Sequence, residues 1–236
     1  RGNAKKSLGD TQGAIADFNK AIAINPQLAA AYNNRGNAKK SLGDTQGAIA
    51  DLNKAIAINP QLAAAYYNRG NAKDKLGDDQ GAIADYTRAI EINPKDALSY
   101  NNRGSAKGYL KDYQGAIADF NKAIAINPQD ADAYYNRGNA KDDLGDYQGA
   151  IADYTKTLKI DPQHANAYFN RGLVKYKLGD YQGAIADFNK AIAINPQDAD
   201  AYTNRGIAKR NLGDDRGECA DYKKAVSLGD QGTAQW

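Results

Sequence analysis

The sequence predicts an all-α chain, a solenoid of stacked antiparallel helix pairs. Two observations predict it. Arg-Gly recurs at Arg1, Arg35, Arg69, Arg103, Arg137, Arg171 and Arg205, and proline at Pro26, Pro60, Pro94, Pro128, Pro162 and Pro196, so both series step by 34 residues without insertion. Within each step lie two apolar patterns of helical period. A fixed period of about 20–50 residues marks like units that bury their apolar sides only against their neighbours.

Residues 63–96 give the clearest copy, with Ala63 as frame position 1. The first helix is expected over 65–76, with Tyr66, Gly70 and Leu76 beside small Ala65 and Ala72. Gly77 closes it by taking the left-handed conformation. Asp78 caps the second helix through its free N–H groups. That helix is expected over 80–92, where Ala82, Ile83, Tyr86, Ala89 and Ile90 form one stripe of period 3.6. Asn93-Pro94 ends it, because the residue before proline avoids the helical region. The short turns make the two helices antiparallel. Applied to the whole chain, the frame gives a partial unit at 1–28, full units at 29–62, 63–96, 97–130, 131–164 and 165–198, a degenerate unit at 199–232 and the start of a terminal helix at 233–236, all in one solenoid.

Composition excludes several classes. The net charge of +3, from 31 basic and 28 acidic residues, argues against a dedicated nucleic-acid binder. No apolar run reaches the roughly 20 residues that span a bilayer. Cys219 is the one cysteine, so no internal disulfide is expected, and it reads as a small buried hydrophobe. His164 is the one histidine, and the Asp residues recur once per unit without converging. No catalytic site, metal or cofactor is therefore expected. The chain starts in mid-pattern at Arg1 and reads as a piece of something longer.

Tyr66, Gly70, Ala82, Tyr86, Ala89 and Pro94, at frame positions 4, 8, 20, 24, 27 and 32, resemble the tetratricopeptide repeat. The resemblance covers the whole chain. It implies a right-handed superhelix and a scaffold that binds a protein or peptide partner rather than an enzyme. Two positions depart from the family pattern: frame position 7 is Arg and position 11 is Lys in every copy, while position 23 is always Asp, as in Arg69, Lys73 and Asp85. These charges are expected to form an ion-pair ladder where the two helices meet, their aliphatic stems packing as hydrocarbon.

The resemblance implies that positions 2, 5, 6, 9, 12 and 13 of the first helix, one continuous face, line a concave groove. Asn34, Asn68, Asn102, Asn136, Asn170 and Asn204 hold position 6, and Asn71 and Asn139 hold position 9. An amide both donates and accepts, so such a ladder suits a peptide backbone. Tyr67, Tyr135, Phe169, Tyr109 and Tyr176 are the candidate aromatic anchors. Asp142, with Asp132 and Asp143, makes part of the groove acidic and is expected to face a basic residue of the ligand. The cations of the family's carboxylate clamp are missing, which argues against a chaperone tail as ligand.

Two other readings stand beside this one. The array is the targeting arm of a larger enzyme, or it self-associates head to tail through Ile15, Phe18 and Ile22, which the truncated first unit leaves partly uncovered. Trp236 is expected to open a further helix at the other end.

Overall fold

The computed structural model of the protein describes residues 10–230. Thirteen helices and no strand occur among the described residues. They fall into two compact units, Arg1–Ile126 and Asn127–Trp236. The first holds the second helix α1 (Thr11–Ile24) and the pairs α2 (Ala29–Ser41) with α3 (Thr45–Ile58), α4 (Ala63–Asp74) with α5 (Asp79–Ile92), and α6 (Ala97–Tyr109) with α7 (Tyr113–Ile126). The second holds α8 (Ala131–Asp143) with α9 (Tyr147–Ile160), α10 (Ala165–Lys177) with α11 (Tyr181–Ile194), and α12 (Ala199–Asn211) with α13 (Asp215–Ser227). Trp236 and residues 1–9 lie outside the described residues.

The turns explain the pairing. At the end of α4, Gly77 has φ +77° and Asp78 N–H donates to the Lys73 carbonyl, which closes the helix. The Asp78 side chain then accepts from Gly81 N–H at 2.9 Å and opens α5. One residue thus ends one helix and starts the next. The first helices begin two residues earlier than the apolar pattern implied. In the second unit the residue just before each is its cap: Asp130, His164 and Asp198 accept from backbone N–H groups of α8, α10 and α12, whereas Leu28, Leu62 and Asp96 in the first unit make no side-chain cap bond. His164, the single histidine, therefore serves as a helix cap through its Nδ1.

Lys111 breaks the turn rule. It adopts φ +63° where Gly43, Gly77, Gly145, Gly179 and Gly213 stand in the other copies. A side chain in that region costs about 1–2 kcal/mol, part of which glycine returns through its freer unfolded chain. Lys111→Gly is expected to stabilise the first unit by about 1 kcal/mol, read as a raised urea midpoint. An unchanged or lowered midpoint contradicts this account of the turn.

In each unit, consecutive helices pack against one another along the chain. Large side chains are few in the core. Tyr86, Phe120, Tyr154 and Phe188 are essentially buried, and small alanines fill the rest. Glycine lets the first helix approach the ring: a Cβ at Gly70 would stand 2.7 Å from Tyr86 Cε1, and one at Gly172 2.8 Å from Phe188 Cε1. Phe18 is buried, and Ile15 and Ile22, expected to be partly uncovered, are half-buried. Ile24 remains 85% exposed. Cys219, expected to be buried, is exposed. The matching Ile151 packs against the cluster of Ala150, Tyr154 and Val174, the last on the following helix, and no helix follows α13 among the described residues.

The charged ladder is present in both units. Arg69 grips Asp85 with Nε and Nη2 at 2.9 and 2.6 Å, and Lys73 Nζ lies 2.8 Å from the same carboxylate. Arg69 also donates from Nη1 to Asn53 of the preceding second helix at 2.7 Å. Its guanidinium lies 5.6 Å from the Tyr66 ring centroid. Arg35, Arg103, Arg137, Arg171 and Arg205 each grip their own Asp in the same way. The arginine therefore joins three consecutive helices, which explains why a leucine cannot replace it without loss of polar partners.

Candidate functional site

Within each unit the first helices also pack on one another: α2 on α4 and α4 on α6, then α8 on α10 and α10 on α12. No comparable packing joins consecutive second helices among the described residues. The first helices thus form the inner layer of each stack, and their contacts keep one register. Asn68 donates to Asn33, Asn102 to Tyr67 and Asn170 to Tyr135, each pair 35 residues apart. Frame position 6 meets position 5 of the preceding helix, and position 13 meets position 12.

The amides expected to await a ligand bond to one another. In the second unit, Asn139 Oδ1 accepts from Tyr154 OH at 2.8 Å and from Asn170 Nδ2 at 2.9 Å. Asn170 Nδ2 donates its other hydrogen to Tyr135 OH at 3.1 Å. In the first unit, Asn71 Oδ1 accepts from Tyr86 OH at 2.8 Å and from Asn102 Nδ2 at 2.9 Å, and Asn102 also reaches Tyr67 OH. Burial pushes the Tyr86 and Tyr154 hydroxyls well above the usual tyrosine range, and the nearby Asp74 and Asp142 charges add to this. Both hydroxyls are therefore neutral and serve as lasting donors.

This pairing uses half of each amide. Asn139 Oδ1 has both lone pairs engaged, and Asn170 Nδ2 has both hydrogens engaged. The other halves, Asn139 Nδ2 and Asn170 Oδ1, make no hydrogen bond among the described residues, and neither is shut away from solvent. Asn71 Nδ2 and Asn102 Oδ1 repeat the arrangement in the first unit. Each unit so presents a donor from one first helix beside an acceptor from the next. Hydrogen bonds at their backs hold both in place.

The remaining candidates vary. Asn68 is buried between helices, with its Nδ2 on Asn33. Asn34 and Asn136 are half-buried. Asn204 turns back to the Asp200 carbonyl at 2.8 Å. Tyr67 packs on Tyr86, Tyr135 on Tyr154 and His164, Phe169 on Phe188, and Tyr176 on Tyr181. Tyr176 also accepts from Asn211 at 3.3 Å. Of the five aromatic candidates, Tyr109 alone stands out, 73% exposed. Asp142 already has a cation from within the chain: Lys177 Nζ lies 2.7 and 2.9 Å from its two oxygens. No group of His, Cys, Asp and Glu suited to a metal occurs among the described residues. No described helix is long and apolar enough to cross a membrane.

Solved structures share this architecture. The C-terminal part of a TPR repeat-containing protein from Cytophaga hutchinsonii superposes with a TM-score of 0.77 at 20% identity, over 99% of this chain and 96% of that one. The MamA protein gives 0.66 at 25% identity, over 73% of this chain and 94% of its own. YrrB, described as a TPR protein with an unusual peptide-binding site, gives 0.66 at 23% identity, over 78% and 95%. No curated protein matches the chain significantly. Family profiles described as tetratricopeptide repeats match residues 2–43, 36–77, 63–96, 109–141, 135–199 and 188–233. With that coverage and the helix pairs it predicts, the chain belongs to the tetratricopeptide repeat family.

Proposed function

We propose that this protein is a non-enzymatic scaffold whose first-helix face binds an extended segment of a protein partner through its backbone. Scaffolds of this family are typical of protein–protein interaction. One observation carries the finer reading: the open Asn139 Nδ2 and Asn170 Oδ1, side by side on neighbouring helices and each fixed from behind. A peptide group offers a carbonyl to the first and an N–H to the second. Because every residue has both groups, such recognition tolerates varied side chains. Pre-formed amides lose little freedom on binding, which favours affinity from few contacts.

The test is a selection of dodecapeptides displayed on phage, followed by calorimetry with the best binder. Asn170→Ala removes the open acceptor and is expected to weaken binding about five- to tenfold, as for one lost hydrogen bond with its desolvated partner. Tyr154→Phe disturbs the same network from behind without removing an open group, and is expected to leave affinity within about twofold. Equal affinity for Asn170→Ala and the parent chain rejects the reading, as does an equal loss in both variants.

A further inference from the structure

Position 12 carries an aspartate in two copies, and the two aspartates meet different fates. In the second unit, Asp142 on α8 is bridged by Lys177 from position 13 of α10, and the same ammonium lies 5.4 Å from the Tyr147 ring centroid. A carboxylate and an aromatic face thus hold one cation on the first-helix face. In the first unit, Asp74 on α4 stands in the place of Asp142, and Tyr109 on α6 in the place of Lys177. Asp79, which opens α5, stands where Tyr147 does. No cation stands in the place of Lys177. Asp74 makes no hydrogen bond or ion pair among the described residues, and its oxygens are reached by solvent.

Three further features agree. Tyr109 is 73% exposed, a large ring open to solvent. Gly108 beside it leaves open space, since a Cβ there would meet nothing within 4 Å. Burial and the neighbouring Asp79 charge raise the Asp74 carboxyl above its usual range, while Lys40 on α2 acts through space to lower it without bridging it. Two carboxylates close together, one half-buried, are relieved by a cation placed between them. An exposed tyrosine ring adds the cation–π attraction that arginine and lysine prefer.

We propose that Asp74, Asp79, Tyr109 and the open space over Gly108 form a pocket for one arginine or lysine side chain of the bound segment. The occupant is supplied by the ligand here and by Lys177 in the second unit. The pocket rests on the peptide-binding reading above and gives the partner a chemistry: an extended segment with a basic residue. It also shifts the basic contact from Asp142, which the chain itself satisfies, to Asp74, which it does not.

Three synthetic dodecapeptides of alternating serine and alanine serve as probes, with a central arginine, glutamate or serine. Binding is followed by amide NMR shifts. The arginine peptide is expected to shift the Gly108 and Tyr109 signals and to bind about tenfold tighter than the glutamate peptide, as for one charge-assisted contact. Asp74→Asn is expected to abolish that preference. Tyr109→Lys would supply the missing cation internally, as Lys177 does, and is expected to exclude the arginine peptide while raising the melting temperature. Equal binding of the three peptides, or a preference that survives Asp74→Asn, overturns the pocket. The backbone reading is scored separately by the Asn139 and Asn170 side-chain signals. If these shift with all three peptides and no charge preference appears, the pocket fails and the backbone reading stands. If no peptide moves any signal, both fail.

Discussion

Asp85→Ala is expected to destabilise the first unit by about 3 kcal/mol, the lower end of the range for removing one partner of a buried charge group. Asp85 is 3% exposed and holds both Arg69 and Lys73. Its removal leaves two adjacent cations. They remain about one-fifth exposed, at 19% and 23%, so water compensates part of the loss. Arg69 keeps Asn53 and the Tyr66 ring, which limits the damage further. Asp85→Asn retains an acceptor and the volume, and is expected to cost less, about 2 kcal/mol. Urea unfolding measures both. A loss under about 1 kcal/mol would mean that the ladder behaves as an ordinary surface pair.

One rung of the ladder responds to acid. At Asp51, burial opposes ionisation, but hydrogen bonds from Arg35 and Lys39, with their charges, outweigh it and hold the carboxyl below its usual range. A carboxyl with a depressed folded pKa stabilises the fold above its unfolded value of about 3.9. That stability is lost as pH falls through the folded value. Unfolding should therefore steepen below about pH 4, and Asp51→Asn should flatten that limb.

The helix pairs and the ladder were legible in the sequence for one reason. Arg69, Lys73 and Asp85 recur in phase, and matched charges at constant spacing have a structural use in every copy. The inner face was legible as a spacing on one helix. What each amide does there was not, because periodicity within a helix says nothing of reach between helices. Asn170 meets Asn139 and Tyr135 only because neighbouring first helices run in the 35-residue register. That register had a signal. Asp142 is followed 35 residues on by Lys177, an acid and a base in adjoining frame positions. The early start of the first helices also had one in the second unit, in Asp130, His164 and Asp198 directly after Pro-Gln. Cys219 misled because its frame position is apolar elsewhere, while burial there depends on a following helix.

Phe188→Ala and Gly172→Ala are expected to be strongly coupled. Phe188 is 0% exposed, in a cluster with Ala184 and Ala208, so its truncation should cost about 3–5 kcal/mol. A Cβ at Gly172 stands 2.8 Å from Phe188 Cε1 and 3.0 Å from Cδ1. With the ring present it must shift, at about 1–3 kcal/mol, against roughly 1 kcal/mol regained in helix propensity. With the ring gone the clash disappears and the methyl enters the void. Gly172→Ala should then stabilise the Phe188→Ala background by about 1 kcal/mol, reversing its sign. Double-mutant urea unfolding measures the coupling, and additive effects would refute the close-approach account. The second copy supplies the contrast. There Leu52 replaces the ring, and a Cβ at Gly36 meets the Ala48 carbonyl oxygen at 3.0 Å as well as Leu52 Cγ at 3.0 Å. A backbone atom cannot be cut away, so Leu52→Ala should rescue Gly36→Ala far less than Phe188→Ala rescues Gly172→Ala.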